Sequence, residues 1–430
     1  MQLVSPRTIV PDMSKIEKIR NWPGGRPLRV LFVSDGMYTT SGYGKQSLLA
    51  VAAINALGAE VAALSSYGLS GAHLDAPELP GVKIYSAGAD GFGNDVIPLA
   101  AKDWRADVVI TLKDTPVYNV EMMQKLRWAP LTPIDHEPIP PPVMHAIRHA
   151  WWPIAYAPNG TLAMDAAGLH PLYASHAYDP AVFKPGDREE ARKRLGWPQD
   201  KQIVATVAVN RGGLPSRKAW PQLMDAMGQV RRAMGEDAPL WYCHTYICKD
   251  GYEGGVNLEM LSQQHGLTGG VFFPDQAIYR YGGFDEQYLA AVYQAADLLL
   301  AVSVGEGFGV PILEAQACGT PALVGRWTAP EHLAWTEPQL TRADAVPFLD
   351  QQGANIWLPR PDRIAAAVQQ HLTQPADTTQ MNEVVQEYTI QRVADLEWRE
   401  VLVRMAERIH REDRHGRGVM RIIRPEEVLG

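Results

Sequence analysis

Short apolar runs alternate with helical stretches from one end of the chain to the other. The first run, RVLFV at 29–33, predicts a strand. A glycine-bearing turn over 34–44 and a helix over about 45–57 follow it. That helix contains SLLAVAAINAL, small and apolar on nearly every face, so it is expected to be buried. Further strands are predicted at 60–64, 82–85, 107–112, 130–134, 154–157 and 172–175. Short apolar runs separated by helices point to a parallel sheet covered on both faces.

The pattern then restarts. The stretch DPAVFKPG at 179–186 has two prolines and a glycine and reads as a linker. A charged helix is predicted over 187–195, then strands at 202–209, 240–244, 271–273, 298–302 and 322–324 with helices between. The tail over 384–413 reads as one long helix or two broken ones. The fold class is α/β, built from two successive βαβ domains at 1–185 and 186–393.

Composition narrows the function classes. A chain of 430 residues suits two domains. At 46% hydrophobic and 20% charged it is neither disordered nor fibrous. A net charge of −8 argues against a uniformly basic nucleic-acid coat. The three cysteines, Cys243, Cys248 and Cys318, form neither a disulfide framework nor a zinc spacing. That usage suits a reducing, cytoplasmic setting. The N-terminus lacks an apolar core, so no signal peptide is expected. The most apolar stretch, 288–304, carries Gln294 and Asp297, so no membrane span is expected.

The glycine loop Ser41-Gly42-Tyr43-Gly44-Lys45-Gln46-Ser47 follows a strand and opens a helix, a place that suits an anion. It is not a P-loop, because Thr39 stands at the first glycine position and Gln46 at the hydroxyl position. It is not a dinucleotide fingerprint either, because Ser47 replaces the third glycine and no acid ends the second strand. Hydride transfer is therefore disfavoured.

The segment SVGEGFGVPILEAQACGTP at 303–321 carries the most chemistry. A turn holds Glu306, Phe308 and Gly309, Pro311 fits a first helical turn, and Gly319 ends the helix. Glu306 and Glu314 lie eight residues apart, one in the loop and one on the helix. The N–H groups of Gly309 and Val310 face the same space. An anion site flanked by two hydroxyl-binding carboxylates is what a sugar joined to a diphosphate needs.

This segment resembles the E-x7-E signature of retaining GT-B glycosyltransferases, especially glycosyltransferase family 4. Other segments fall in order around it. SGYGKQ at 41–46 resembles that family's first glycine loop, and Asp135-His136-Glu137-Pro138 its histidine loop. HAYDPAVFKP at 176–185 resembles its hinge. Asn210-Arg211 and Arg217-Lys218 resemble its diphosphate-binding Arg and Lys. The resemblance spans about residues 28–370. It departs at Ala219, where a glycine is usual, at Val302-Ser303, which replaces Pro-Ser, and in the longer AIYRYGGFD at 277–285. These departures bear on donor identity.

The resemblance implies two Rossmann-like domains with parallel sheets facing across a cleft. It also implies a C-terminal segment, 394–430, whose helix crosses back onto the N-terminal domain. The N-terminal domain would hold the acceptor and the C-terminal domain a UDP- or GDP-type nucleotide-sugar. Donor-binding residues would be Gly42, Gly44, Arg211, Lys218, Glu306, Phe308, Gly309, Val310 and Glu314. His136, Glu306, Arg211 and Lys218 would carry the retaining transfer. His136 would orient the sugar, and the two cations would stabilise the leaving diphosphate. No metal or cofactor is implied, and the sequence has no Asp-x-Asp motif.

The acceptor hydroxyl is open among a small molecule, a glycan, a lipid-linked sugar and DNA. Seven arginines between 401 and 424 (404, 408, 411, 414, 417, 421 and 424) and a basic arm over 7–29 lean towards a polyanion. Were DNA the acceptor, a hydroxymethylated pyrimidine flipped from the duplex would be the target. Two alternatives stand beside transfer: a GT-B-fold epimerase or phosphorylase, and an inactive sugar-nucleotide-binding protein.

Overall fold

The computed structural model describes residues 10–67, 74–75, 79–249, 254–374 and 376–415. They form two compact bodies. The first comprises 10–133, Ile139–Ala177 and 388–415; the second comprises Ile134–Pro138 and Tyr178–Glu387. The histidine loop thus belongs to the second body, and the C-terminal helix to the first.

The first body is built on strands β1 (Arg29–Asp35), β2 (Glu60–Tyr67), β3 (Leu74–Asp75), β4 (Lys83–Tyr85), β5 (Val108–Leu112), β6 (Trp128–Leu131), β7 (Ile154–Ala155) and β8 (Leu172–Tyr173). They pair in the order β3-β4-β2-β1-β5-β6-β7-β8, parallel except for β3 on β4. The seven expected strands are all present; β3 was not expected. Leu31, Val33, Val109 and Trp128 pack with Ile97 and Ala101 of the helix Ile97–Trp104 in one fully buried cluster.

The helix after β1 begins at Gly42, three residues before the expected start, and runs to Ala56. Ser41 caps it, its Oγ accepting from Gly44 N at 3.0 Å. The capping serine, not the first apolar residue, sets the boundary.

The tail is a helical run with a change of pitch. Ile390–Arg392 is α-helical, Val393–Trp398 is π-helical and Arg399–Arg414 is α-helical. Within the first body, Glu412 accepts from Trp151 Nε1 at 2.9 Å, and Arg127 pairs with Asp413 at 2.6 Å. The guanidinium of Arg408 stacks 4.6 Å from the Trp151 ring.

The second body holds β9 (Ile203–Val207), β10 (Leu240–His244), β11 (Val271–Phe272), β12 (Leu298–Leu300) and β13 (Ala322–Leu323), all as expected. Their order is β11-β10-β9-β12-β13, all parallel. The period-two alternation of β9 is visible in its packing. Val204 faces Trp220, Leu223 and Ile364 in one cluster, while Ile203 and Ala205 face Trp197 and Val292 in another. Both faces of the sheet are covered, which is why its strands read as continuous apolar runs. A further antiparallel hairpin, β14 (Ala345–Leu349) with β15 (Asn355–Pro359), was not expected.

No helix of the described residues is long and apolar enough to cross a membrane.

Candidate functional site

The loop after β12 leads into the helix Val310–Ala317, and each end of that turn is dictated by a glycine. Gly309 has φ +107°, and a Cβ there would lie 2.6 Å from the Ile312 side chain. Gly305 lies so close to the histidine loop that its Cβ would sit 2.1 Å from the Asp135 carbonyl oxygen. The backbone between them is pinned. Glu306 N donates to Thr328 Oγ1 at 3.0 Å, and Trp327 Nε1 donates to the Ser303 carbonyl at 3.1 Å. Gly319, with φ +89°, follows the helix end as expected.

The Glu306 carboxylate is buried, at 8% exposure, and lies between two cations. Lys218 Nζ bonds Oε1, and Arg217 Nη1 approaches Oε2 at 3.2 Å. Both cations come from the loop between β9 and the helix Trp220–Met234, tied to the turn by Val304 N donating to the Arg217 carbonyl at 3.0 Å. Burial pushes the Glu306 carboxyl up, but Lys218 and Arg217 outweigh it and hold it below the ordinary range. Burial, reinforced by Arg217, pushes the Lys218 ammonium down against the pull of Glu306. Ala219, where the resembled family has a glycine, is fully buried with φ +51°. That left-handed conformation favours glycine and accounts for the family's choice.

The histidine loop closes another side of the cluster. Asp135 Oδ1 lies 2.6 Å from His136 Nδ1, and Asp350 Oδ2 lies 3.1 Å from His136 Nε2. Glu137 pairs in both backbone directions with Asn355 of β15, at 3.0 and 2.9 Å. Its carboxylate accepts from Arg342 Nη2 at 2.6 Å and from Trp357 Nε1 at 3.3 Å. Burial pushes the Asp135 carboxyl up, and His136 and Arg217 bring it below the ordinary range. For His136 burial acts downward, and the two aspartates raise it above the ordinary histidine value.

Two cations, Arg217 and Lys218, and the His136 imidazole therefore meet three carboxylates, Glu306, Asp135 and Asp350. Of the residues singled out from sequence, His136, Lys218 and Glu306 belong to this group. Phe308, Gly309 and Val310 continue the same turn, with Phe308 buried. Glu314 sits two turns on and is also buried, accepting from the Tyr293 hydroxyl at 2.9 Å. Burial and Glu314 push the Tyr293 phenol far up, so it remains a donor. Arg211 lies in the exposed stretch of the loop after β9, and it is Arg217 that contacts Glu306.

Gly42 and Gly44 lie in the first body. A Cβ on Gly44 would sit 2.1 Å from Thr39 Oγ1 and 2.7 Å from the Gly36 carbonyl, whereas Gly42 faces open space. The Ser41 hydroxyl donates to Asp35 Oδ2 at 2.7 Å, and Lys113 bonds the other oxygen of Asp35. Lys113 and Asp350 were not singled out. Neither sits in a patterned motif, and their partners are 78 and 214 residues away.

Among the described residues no group of three or more His, Cys, Asp or Glu is arranged to hold a metal.

Residues 205–373 match the family model for glycosyl transferases group 1. The chain also superposes on the sucrose-phosphate synthase of Thermosynechococcus elongatus, with a TM-score of 0.63 and 17% identity. That match covers 90% of this chain and 100% of the other. A trehalose-6-phosphate structure from E. coli bound with UDP-2-fluoro glucose matches at TM-score 0.60 and 11% identity, over 87% and 99% of the two chains. The fold is that of the GT-B glycosyltransferases. In sequence, the chain is 33% identical over 168 residues to the D-inositol 3-phosphate glycosyltransferase of Mycobacterium leprae (strain Br4923). The match covers 35% of this chain and 34% of that protein, so the chain spans about a third of the length of the relative it matches. The group 1 match contains Arg211, Arg217, Lys218, Glu306, Glu314 and Asp350; the histidine loop lies outside it.

Proposed function

We propose that this chain is a retaining glycosyltransferase of the E-x7-E, family 4 type. It moves a sugar from a nucleoside diphosphate sugar to a hydroxyl acceptor. The observation that carries this reading is the buried Glu306 carboxylate held between Lys218 and Arg217 at the mouth of the helix Val310–Ala317. A diphosphate leaving group develops negative charge as the glycosidic bond breaks, and fixed cations beside it stabilise that charge. Lys218, with Arg211 and Arg217, supplies it here, and the N–H groups of Gly309 and Val310 add the helix N-terminus. Glu306 accepts from sugar hydroxyls, Glu314 from the ribose, and His136 orients the sugar. Phe308 shapes the turn around the donor. A UDP-type donor is favoured, since the E. coli neighbour holds a UDP-sugar analogue. Attack comes from the face of departure, and the leaving phosphate oxygen takes the proton. Side chains neutralise the diphosphate, so no metal is required. The three free, buried cysteines suit a reducing, cytoplasmic setting.

The polyanion lean of the tail weakens against the ion pairs found there. Arg404 pairs with Glu400 at 3.4 Å and Arg408 with Glu412 at 2.9 Å. Arg7, Arg417, Arg421 and Arg424 lie outside the described residues. Acceptors are therefore tested side by side: small polyols, glycans, lipid-linked sugars and hydroxymethylated DNA.

A panel of nucleotide-sugars with these acceptors, read by mass spectrometry and by NMR of the anomeric proton, tests the proposal. Transfer with retained configuration, surviving excess EDTA, is expected. Inverted product, or activity lost on chelation and restored by magnesium, overturns the corresponding part. Released epimer, phosphate-dependent cleavage, or binding without turnover would replace transfer by epimerase, phosphorylase or binding protein.

A further inference from the structure

Both ring nitrogens of His136 face carboxylate oxygens, Asp135 at 2.6 Å and Asp350 at 3.1 Å. A neutral imidazole has one N–H and one lone pair, so it would turn a lone pair on an anion. Only the imidazolium satisfies both contacts. Asp135 is the neighbouring residue, but Asp350 comes from the turn between β14 and β15. Its other oxygen, Oδ1, accepts from Gln352 N at 2.8 Å and Ala354 N at 3.4 Å, so the turn's own backbone fixes the carboxylate. The hairpin is joined to the histidine loop independently, through Glu137 with Asn355, Arg342 and Trp357.

We propose that Asp350 is a positioning residue: the hairpin turn presents its carboxylate to His136 Nε2, locking the ring in one orientation and keeping it a cation. The groups acting on His136 are Asp135 and Asp350, and Arg217 acts in turn on Asp135. The Glu137 carboxylate is engaged by Arg342 and Trp357, and that of Glu306 by Lys218 and Arg217. Both aspartates favour the charged ring, consistent with its upward shift. His136 therefore serves as a fixed N–H donor and positive charge, not as a base. A ligand that takes up Nε2 must displace Asp350, so the hairpin turn also guards access to that nitrogen.

Ring-labelled histidine NMR on the full chain tests the charge, with the His136 signal assigned by its loss in His136→Gln. In the wild type, His136 should titrate above the ordinary histidine midpoint. Asp350→Asn keeps one oxygen, enough for the turn's two N–H groups, but sets an amide NH2 opposite Nε2 and removes the charge, so the midpoint should move to lower pH. Asp350→Glu should restore it, and Phe348→Ser on the exposed part of the hairpin should leave it in place. A wild-type His136 that is neutral at pH 7, or a midpoint that Asp350→Asn does not move, overturns the proposal. The first of these outcomes does not depend on any Asp350 variant folding. The link to turnover rests on the glycosyl-transfer reading. With an active donor, Asp350→Asn should move the alkaline limb of kcat to lower pH, with the donor KM within about twofold. A moved midpoint with an unmoved limb would exclude the turnover link and leave the charge assignment standing. Absence of activity in every protein, with the NMR shift present, would count against the transfer reading alone.

Discussion

Replacing Lys218 by Met strands the Glu306 carboxylate, and the structure sets the size of the effect. The two side chains are 18% and 11% exposed, so this is a buried pair. Removing one partner of such a pair costs about 3–5 kcal/mol, because the other is left charged and desolvated. Arg217 remains at 3.2 Å, but its side chain is 47% exposed and offers only partial compensation. The lower end, about 3 kcal/mol, is therefore expected. Tyr178–Glu387, the bulk of the second body, is of a size at which 1 kcal/mol moves the melting point by about 2–4 °C. Its transition should fall by about 6–12 °C. Glu306→Gln in the Lys218→Met background removes the stranded charge and should recover about 2 kcal/mol. Calorimetry on the wild type, both single variants and the double variant measures the coupling directly. If the single effects simply add, or if Lys218→Met melts like the wild type, the pair is not coupled and the electrostatic account of the site is wrong. The same substitution should cut transfer at least about tenfold, since it removes a charge partner of the leaving diphosphate.

Gly305→Ala should destabilise the second body by about 1–3 kcal/mol, because the new methyl would lie 2.1 Å from the Asp135 carbonyl; a melt within 1 °C of the wild type would contradict this. Stability of the second body should fall on both sides of neutrality. The lowered Glu306 and Asp135 contribute above their ordinary values near 4.5 and 3.8, and that contribution is lost as pH falls through their folded-state values. The raised His136 contributes fully below its ordinary value near 6.5, and this is lost as pH rises through its folded-state value. Glu306→Gln should flatten the acid limb of a melting-temperature profile, and an unchanged limb would remove Glu306 from that account. Glu314→Gln should weaken binding of the bare nucleoside diphosphate several-fold, while Glu306→Gln should lower turnover and leave that affinity near wild type. Equal losses by calorimetry would mean that the two carboxylates are assigned the wrong way round.

The sequence by itself determined the parallel strands of the two main sheets and the turn that carries Glu306. The parallel strands are buried on both faces, so their continuous apolar runs register as strands without knowledge of any partner. The helix Val310–Ala317 is bounded by residues whose backbone demands are local: Gly309 before it, Pro311 in its first turn and Gly319 after it. The start of the helix at Gly42 was also local, but it was set by the Ser41 cap, which the apolar pattern does not register. Only the tertiary structure decided the company each charge keeps. Arg217 rather than Arg211 reaches Glu306 because Val304 N and the Arg217 carbonyl tie the two loops together there. The β14–β15 hairpin left little trace in the pattern, since much of β14 is exposed and lacks a buried apolar face. Asp350 meets His136 across 214 residues of sequence because Glu137 and Asn355 pair their backbones. A charge interacts with whatever lies within a few ångströms of it, and that neighbourhood is assembled by folding rather than by spacing along the chain.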